Sequence, residues 1–215
     1  ARTLLQHWDW RQDDCLVHAL PIFHIHGLFV AVHCSLLAGT PMRWLQRFEA
    51  PQVLTQLNDA SAPRATVFMG VPTMYVRLLH EAGLDADATA GMRLFISGSA
   101  PLLPATFAAF TERTGHTILE RYGMSETGML CSNPCRSREG ERLAGSVGQP
   151  LPGVQLRIVD DAGAPLATGQ TGHVEVRGPN VFVGYLGMPE KTAEAFTADG
   201  WFRTGDVGRF DQSGR

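Results

Sequence analysis

The stretch Thr117–Glu126, TILERYGMSE, joins an apolar segment to a turn that carries a hydroxyl and a carboxylate. Its first residues are typical of a short buried strand, and Gly123 permits a backbone turn that other residues resist. Taken alone, the run is equally compatible with an ordinary turn in which Ser125 caps a helix. The stretch therefore predicts a strand that ends in a polar turn, and the chemistry of that turn depends on its surroundings.

The chain before this stretch alternates between apolar strands and helices. Short apolar runs bounded by turn residues predict strands, and longer runs that begin at Pro or end at Gly predict helices. Strands alternating with helices indicate an α/β fold with a largely parallel sheet and flanking helices. The predicted strands are 15–20, 40–45, 65–70, 93–97 and 117–121, and the predicted helices are 27–37, 50–57, 72–82 and 104–114.

The pattern changes near residue 145. Residues 154–159 and 172–177 alternate apolar and polar side chains, which is typical of half-exposed antiparallel strands joined by short turns. We therefore predict a small antiparallel, β-barrel-like subdomain after the parallel part. The predicted division is an α/β subdomain at 1–145 and a β-rich subdomain at 146–215. The last ten residues predict a strand, a turn and the start of a further strand.

Composition limits the class of protein. The chain has 215 residues, 44% of them hydrophobic and 18% charged, which is ordinary for a globular protein with a sizeable core. Its net charge of −3 gives no electrostatic footprint for nucleic acid or for an anionic membrane. No targeting segment is recognisable, and the four cysteines lack a paired metal-ligand pattern. We expect a cytoplasmic protein with free thiols that acts on small molecules; its oligomeric state is not indicated.

Several further motifs follow one another along the chain. They are PIFHIHGL (21–28), GVPT (70–73), SGSAPL (97–102), GSVGQP (145–150), LPG (151–153), VRGPN (176–180), GY (184–185), WF (201–202) and TGD (204–206). With ERYGMSE at 120–126, this series resembles the acyl-adenylate-forming (AMP-binding) superfamily of acyl-CoA synthetases, luciferases and peptide-synthetase adenylation domains. The resemblance spans essentially the whole chain. It is closest to malonyl-CoA synthetases, through segments such as HALPIFHIHGLF, MGVPTMYVRLL and PNVFVGYLGMPEKTAEAF.

The resemblance implies an enzyme that uses ATP, Mg²⁺ and CoA to activate a carboxylic acid through an acyl-adenylate. A carboxylate and the α-phosphate are both anionic, so the site must supply cations and oriented donors. Ser125 is the predicted phosphate-facing hydroxyl, Glu126 the predicted metal ligand, and His24 the predicted gate of the acyl pocket. The predicted ATP- and AMP-binding residues are Gly98, Ser99, Ala100, Pro101, Glu120, Arg121, Tyr122, Gly123, Met124, Ser125 and Asp206.

Two of these roles have a stated geometry. Asp206, in the TGD motif, is predicted to accept both ribose hydroxyls from a strand-to-turn position, as an acidic residue does in dinucleotide sites. The resemblance implies that the adenine lies between the turn after Ser97 and the ring of Tyr122. Each motif also has a plain interpretation, since an Asp after Gly is usually a turn residue and Pro104 simply begins the next helix.

The acyl pocket is predicted to be polar. The resemblance implies that Ile25 and His26 line it, together with Ser97 and Met124. A histidine at such a place is more often a satisfied core group than a ligand. Malonate carries a second carboxylate, which Arg can hold bidentately. The candidates are Arg77 and Arg93, and a structural salt bridge is an equally supported role for each.

The only lysine, Lys191, lies in a predicted surface helix. The resemblance implies a catalytic lysine in a C-terminal domain and a Gly/Ser/Thr-rich phosphate loop upstream, so we expect the chain to be an internal fragment that is inactive alone. Three other functions stay open: a ligase for another short-chain, fatty or aryl acid; a non-catalytic nucleotide-binding fragment; and a dehydrogenase. Against a dehydrogenase, the sequence has no G-x-G-x-x-G turn after a predicted strand.

Overall fold

A computed structural model describes residues 1–215, and its largest element is a seven-stranded sheet. The strands are β1 (Leu16–His18), β2 (Met42–Trp44), β3 (Val67–Gly70), β4 (Leu94–Ser97), β5 (Leu119–Met124), β6 (Gly128–Ser132) and β7 (Gln149–Pro150). Their order is β2-β1-β3-β4-β5-β6-β7. Strands β1 to β5 run parallel, whereas β6 and β7 are antiparallel additions at one side. The parallel strands thus end at one common edge, which we call the carboxyl edge.

Helices cover both faces of this sheet. Leu94 and Ile96 pack toward one face and Phe95 toward the other, so β4 is apolar throughout, as a strand buried on both sides must be. The helices are α1 (Arg2–His7), α2 (His33–Ala38), α3 (Ala50–Asn58), α4 (Pro72–Leu79), α5 (Pro104–Thr114) and α6 (Pro189–Ala195). None of them combines the length and apolar character needed to cross a bilayer.

A second, separate sheet follows. Its three antiparallel strands are β8 (Gln155–Val159), β9 (Gly172–Arg177) and β10 (Phe202–Gly208), in the order β10-β9-β8. Val176 and Phe202 are among the buried residues of its own small core. The predicted fold class is therefore confirmed: a largely parallel sheet with flanking helices precedes a small antiparallel unit, which here is an open three-stranded sheet.

Several details differ from the sequence prediction. The helix expected at 27–37 begins as a π-helical segment, His26–Val32, that leads into α2. Gly27 is needed there, because a Cβ would lie 2.8 Å from the carbonyl carbon of Pro21. Strands β6 and β7 were not predicted, and β7 still pairs with the first sheet beyond residue 145. The chain after β10 forms a turn and no further strand. The division at 145/146 stays a prediction.

Candidate active site

Three segments meet at the carboxyl edge of the main sheet. The His24–His26 segment follows β1, the Gly98–Pro101 turn follows β4, and Tyr122–Glu126 spans the end of β5 and the turn after it. Ligands of open α/β sheets bind outside the carboxyl ends of the strands, since loops from neighbouring strands converge there. The fold thus brings together three of the motifs quoted from the sequence.

His26 is the buried member of the first segment. It is 1% exposed, and its Nδ1 lies 3.3 Å from the Ser99 hydroxyl. Burial, followed by the positive charge of Arg121, lowers the pKa of His26 well below its usual value, so the ring is neutral. Its backbone N–H donates to Nδ1 of the exposed His24 at 3.2 Å. Nε2 of His26 is buried without a protein partner.

The second segment is shaped by contact with Arg121. A Cβ on Gly98 would lie 2.7 Å from Nη1 of Arg121, so only glycine lets the turn lie over the guanidinium. Ser99 adopts a left-handed backbone with φ of 69°, which is uncommon outside glycine and presents its hydroxyl toward His26. Ala100 and Pro101 are exposed beyond the turn.

Arg121 carries a buried charge that no protein carboxylate balances. The residue is 4% exposed, and its Nε and Nη2 have no hydrogen-bond partner. Burial lowers the pKa of Arg121 to about 10, with only the Tyr75 hydroxyl acting in the opposite direction. Nearly all buried charges in proteins are paired, so an unpaired guanidinium in a residue that lines a cavity makes Arg121 a candidate partner for an anionic ligand.

Glu120 is also buried and unusual. It is 3% exposed, and its Oε2 has no partner. Burial raises the pKa of this carboxyl from 4.5 to about 7, opposed by the backbone N–H of Leu102. Side chains alternate along a strand, so Glu120 and Arg121 point to opposite faces of β5 and do not pair.

The third segment carries the predicted metal ligand. Ser125 is exposed and Glu126 half-buried at the turn between β5 and β6. The Tyr185 hydroxyl donates to Oε1 of Glu126 at 3.2 Å, which leaves Oε2 without a protein partner. Mg²⁺ is usually held by one or two carboxylates together with substrate phosphates, and Glu126 fits that pattern. No group of three or more His, Cys, Asp and Glu side chains is arranged to hold a metal by itself.

Asp206 approaches Tyr122 from the second sheet. It lies inside β10 rather than at the predicted strand-to-turn position, at an irregularity in the pairing with β9. The Tyr122 hydroxyl donates a hydrogen bond to Oδ2 of Asp206. Burial and this hydrogen bond raise the pKa of Tyr122. Asp206 itself is exposed and carries free acceptor capacity.

A cavity of about 220 Å³ opens among these segments. Eight of its eleven lining residues are predicted site residues, drawn from the His24–His26 segment, the turn after β4, and β5 with the turn after it. It also includes three residues that sequence reasoning missed, Val30, Gly128 and Met129, whose only signal was proximity to a motif. The lining residues are His24, Ile25, Val30, Ser99, Arg121, Gly123, Met124, Ser125, Glu126, Gly128 and Met129.

The two arginines predicted to hold a second carboxylate lie elsewhere. Arg77 is exposed on α4, with its guanidinium carbon 4.8 Å from the centroid of the Phe48 ring. Arg93 precedes β4, at the opposite edge of the sheet, and is paired with Asp14. Neither lines the cavity, whereas Arg121 does. Which arginine holds a second carboxylate stays a prediction. Ser97 is buried in β4 with an unpartnered Oγ and does not line the cavity either.

Comparison with known proteins agrees with this geometry. The AMP-binding enzyme family matches residues 1–186, so the chain belongs to that family. It is 39% identical to the mitochondrial malonate–CoA ligase ACSF3 of Homo sapiens over 95% of this chain and 40% of that protein. It is 40% identical to the malonate–CoA ligase of Arabidopsis thaliana over 100% of this chain and 37% of that protein. The chain thus spans about 40% of the length of these relatives.

A solved structure is similar throughout. The crystal structure of ATP-bound MatB from Rhodopseudomonas palustris superposes with a TM-score of 0.93 and 50% identity, over 99% of this chain and 41% of MatB. This likeness extends across both sheets, and therefore across the segments that form the cavity and the strand that carries Asp206. The roles of the individual side chains stay predictions.

Proposed function

We propose that the complete gene product is an AMP-forming malonate–CoA ligase. The observation that carries this proposal is the buried guanidinium of Arg121 at the wall of the cavity, with Nε and Nη2 lacking partners. Malonate has two carboxylates. One is activated, and the other requires a cation, which Arg121 supplies in place of the arginines predicted from sequence.

The neighbours of Arg121 suit the same ligand. His26, which is buried behind the cavity lining, is neutral and brings no charge of its own. The Ser99 hydroxyl lies next to it. The cavity, at about 220 Å³, is smaller than the roughly 300–1,000 Å³ of pockets for drug-sized ligands. Size and charge together favour a short dicarboxylic acid over a fatty or aryl acid.

The reaction proceeds in two displacements. A carboxylate oxygen of malonate forms a bond to the α-phosphorus of ATP while the α–β anhydride bond breaks, which gives malonyl-adenylate and pyrophosphate. The CoA thiol then loses its proton and bonds to the acyl carbon, and AMP leaves with the electrons of the acyl–oxygen bond. Because little covalent chemistry falls to the protein, its contribution is orientation and charge.

The chain's residues divide these tasks. Ser125 offers a hydroxyl to the phosphates, and His24 borders the entrance to the acyl cavity. Asp206 accepts from the ribose hydroxyls, and the Gly98–Pro101 turn and Tyr122 flank the base. Glu126 would hold Mg²⁺, which screens phosphate charge and polarises the reacting phosphorus. The cytoplasmic location remains a prediction.

The test is product identification with the complete gene product. Incubation with malonate, ATP and CoA is expected to yield malonyl-CoA, AMP and pyrophosphate, identified by mass spectrometry and nucleotide chromatography. Butyrate, which has a methyl group near the position of the second carboxylate, is the matched control acid and should react with a much lower kcat/KM. Release of ADP and phosphate, or a preference for butyrate, would contradict the proposal.

A further inference from the structure

The segment 180–192 of the β-rich part reaches across to the turn that carries Glu126. Nδ2 of Asn180 donates to the carbonyl oxygens of Thr127 at 2.8 Å and Met129 at 3.2 Å. The backbone N–H of Phe182 donates to the carbonyl of Glu126 at 2.7 Å. These bonds join backbone groups of the turn to a segment more than fifty residues away, so the turn is held from outside as well as by its own strands.

The same segment also holds the carboxylate. The Tyr185 hydroxyl donates to Oε1 of Glu126 at 3.2 Å. Among the contacts of this segment with the turn, this is the one that reaches the side chain of a predicted site residue. The carboxylate therefore has one oxygen occupied and one available.

Tyr185 is itself fixed on several sides. Its ring meets Phe182 edge-on at 4.8 Å between centroids, and its backbone N–H donates to Oγ1 of Thr192 at 2.9 Å. The ammonium nitrogen of Lys191 lies 4.5 Å from the ring centroid, a cation–π contact. Gly184 is required for this close packing, because a Cβ there would lie 2.6 Å from Cγ2 of Thr192. These contacts restrict the orientation of the Tyr185 ring and therefore of its hydroxyl.

We propose that Tyr185 is a positioning residue for Glu126, and that Lys191 supports the Tyr185 ring. The inference rests on the proposed role of Glu126 toward Mg²⁺. By occupying Oε1 and fixing the carboxylate rotamer, the hydroxyl directs Oε2 toward the cation that accompanies ATP. Partners of this kind hold ligating carboxylates in many metal sites, and their loss typically weakens metal binding about 10- to 100-fold.

The test is a binding measurement on the complete gene product. The dissociation constant of ATP is determined by isothermal titration calorimetry, once with EDTA and once with saturating Mg²⁺. The ratio of the two constants, the magnesium ratio, reports how strongly the protein couples the metal to the nucleotide. Tyr185→Phe is expected to reduce the magnesium ratio about tenfold, while ATP affinity in EDTA changes less than about twofold. Lys191→Met, which keeps the hydroxyl, should reduce it about two- to threefold.

Two further variants separate this inference from the proposed function. Glu126→Gln should reduce the magnesium ratio at least as much as Tyr185→Phe does, and the double variant should match Glu126→Gln alone. If Glu126→Gln leaves the ratio unchanged, the proposed metal role of Glu126 is wrong. If Glu126→Gln lowers the ratio and Tyr185→Phe does not, or if the two losses multiply, the positioning role of Tyr185 is overturned.

A matched control removes a phenol hydroxyl that contacts a different carboxylate. Tyr122 donates to Asp206 rather than to Glu126. Tyr122→Phe is expected to change ATP affinity by the same factor with and without Mg²⁺, so its magnesium ratio stays constant. Thermal unfolding of each variant shows that it is folded. A fall in the magnesium ratio of the Tyr122 variant equal to that of Tyr185→Phe would show that the effect is not specific to Glu126, and would overturn the inference.

Discussion

Arg93 and Arg121 lie at opposite edges of the same sheet, and both guanidiniums are largely withdrawn from water. At the amino edge, Nε of Arg93 donates to Oδ1 of Asp14 at 2.9 Å, and Nη2 donates to Oδ2. Burial by itself would lower the pKa of Arg93, but Asp14 outweighs burial and raises it. At the carboxyl edge, burial lowers the pKa of Arg121 to about 10 because no carboxylate faces it. The charge at the amino edge is thus paired within the fold, whereas the charge at the carboxyl edge is unpaired, as its proposed role toward a ligand requires.

Cavity size alone does not identify the site. A cavity of about 500 Å³ at the amino edge is lined by Arg11, Arg93, Arg136 and Arg138. Three of these arginines already pair with protein carboxylates: Arg11 with Asp9 at 3.3 Å, Arg93 with Asp14, and Arg136 with Asp9 and with Glu139 at 3.1 Å. The fourth, Arg138, has no carboxylate partner but is exposed to solvent. The smaller cavity at the carboxyl edge is the one lined by a buried unpaired charge, that of Arg121. Pairing, rather than volume, distinguishes the two.

The largest expected effect on stability comes from breaking the paired arginine. Asp14 is 1% exposed and also accepts from the Thr66 hydroxyl and the Arg11 backbone N–H, both at 2.8 Å. Asp14→Asn should lower the free energy of unfolding of the complete gene product by roughly 3–5 kcal/mol, because Arg93 is left without a counter-charge. Urea unfolding measures this. The matched change Arg121→Met, which removes an unpaired buried charge, should alter stability by less than about 1 kcal/mol.

The next prediction concerns the buried carboxyl beside Arg121. Because the folded-state pKa of Glu120 is raised from 4.5 to about 7, the fold binds its proton more tightly than the unfolded chain does. Its contribution is therefore favourable below pH 4.5 and is lost as the pH rises toward 7, at a cost on the order of 3 kcal/mol. Glu120→Gln should flatten stability between pH 5 and about pH 7, as measured by urea unfolding. An unchanged pH profile would mean that Glu120 is ionised and solvated.

A smaller effect is expected at the ribose. Asp206→Ala should weaken ATP binding by about 1.5–3 kcal/mol, or ten- to a hundredfold, because a charged acceptor for two hydroxyls is lost. Calorimetric titration of ATP in the complete gene product checks this. Glu175, on the neighbouring strand β9, is unsuitable as a control for Asp206, because its carboxylate is paired with Arg157 at 2.7 Å and its removal would break that ion pair. An unaltered ATP affinity in Asp206→Ala would contradict the ribose-binding role and leave Asp206 only as the hydrogen-bond acceptor of Tyr122.

Local sequence patterns predicted most of the fold. Apolar runs such as 94–97 and alternating runs such as 155–159 carry their own signal, so the parallel sheet and the antiparallel unit follow from them. Strand β6 did not, because GMLCS is short, begins with glycine and shows no alternation. Its pairing with β5 stabilises it only after the chain has turned back. The β-propensity of its residues alone therefore does not predict this strand.

The choice of arginine could not be predicted in the same way. Arg93 and its partner Asp14 are 79 residues apart, and the sequence near either residue does not indicate that they form an ion pair. The family resemblance placed Arg121 among the nucleotide-binding residues, together with the rest of the ERYGMSE motif. Because side chains alternate along β5, Arg121 and Tyr122 point to opposite faces of the strand, and the guanidinium of Arg121 lies against Gly98. Burial and pairing are tertiary quantities, and the proposal for Arg121 rests on them.

The measurement that tests the central claim most directly is a ratio of specificity constants. The kcat/KM for malonate divided by that for butyrate is determined for the complete gene product, for Arg121→Met, and for the control Arg77→Met, whose guanidinium lies over Phe48. Losing the partner of a buried carboxylate costs roughly 2–5 kcal/mol, so Arg121→Met should lower the ratio thirtyfold or more. Arg77→Met should leave it unchanged. A ratio that Arg121→Met keeps within about twofold would contradict the account, because the second carboxylate would then be held elsewhere or be absent from the substrate.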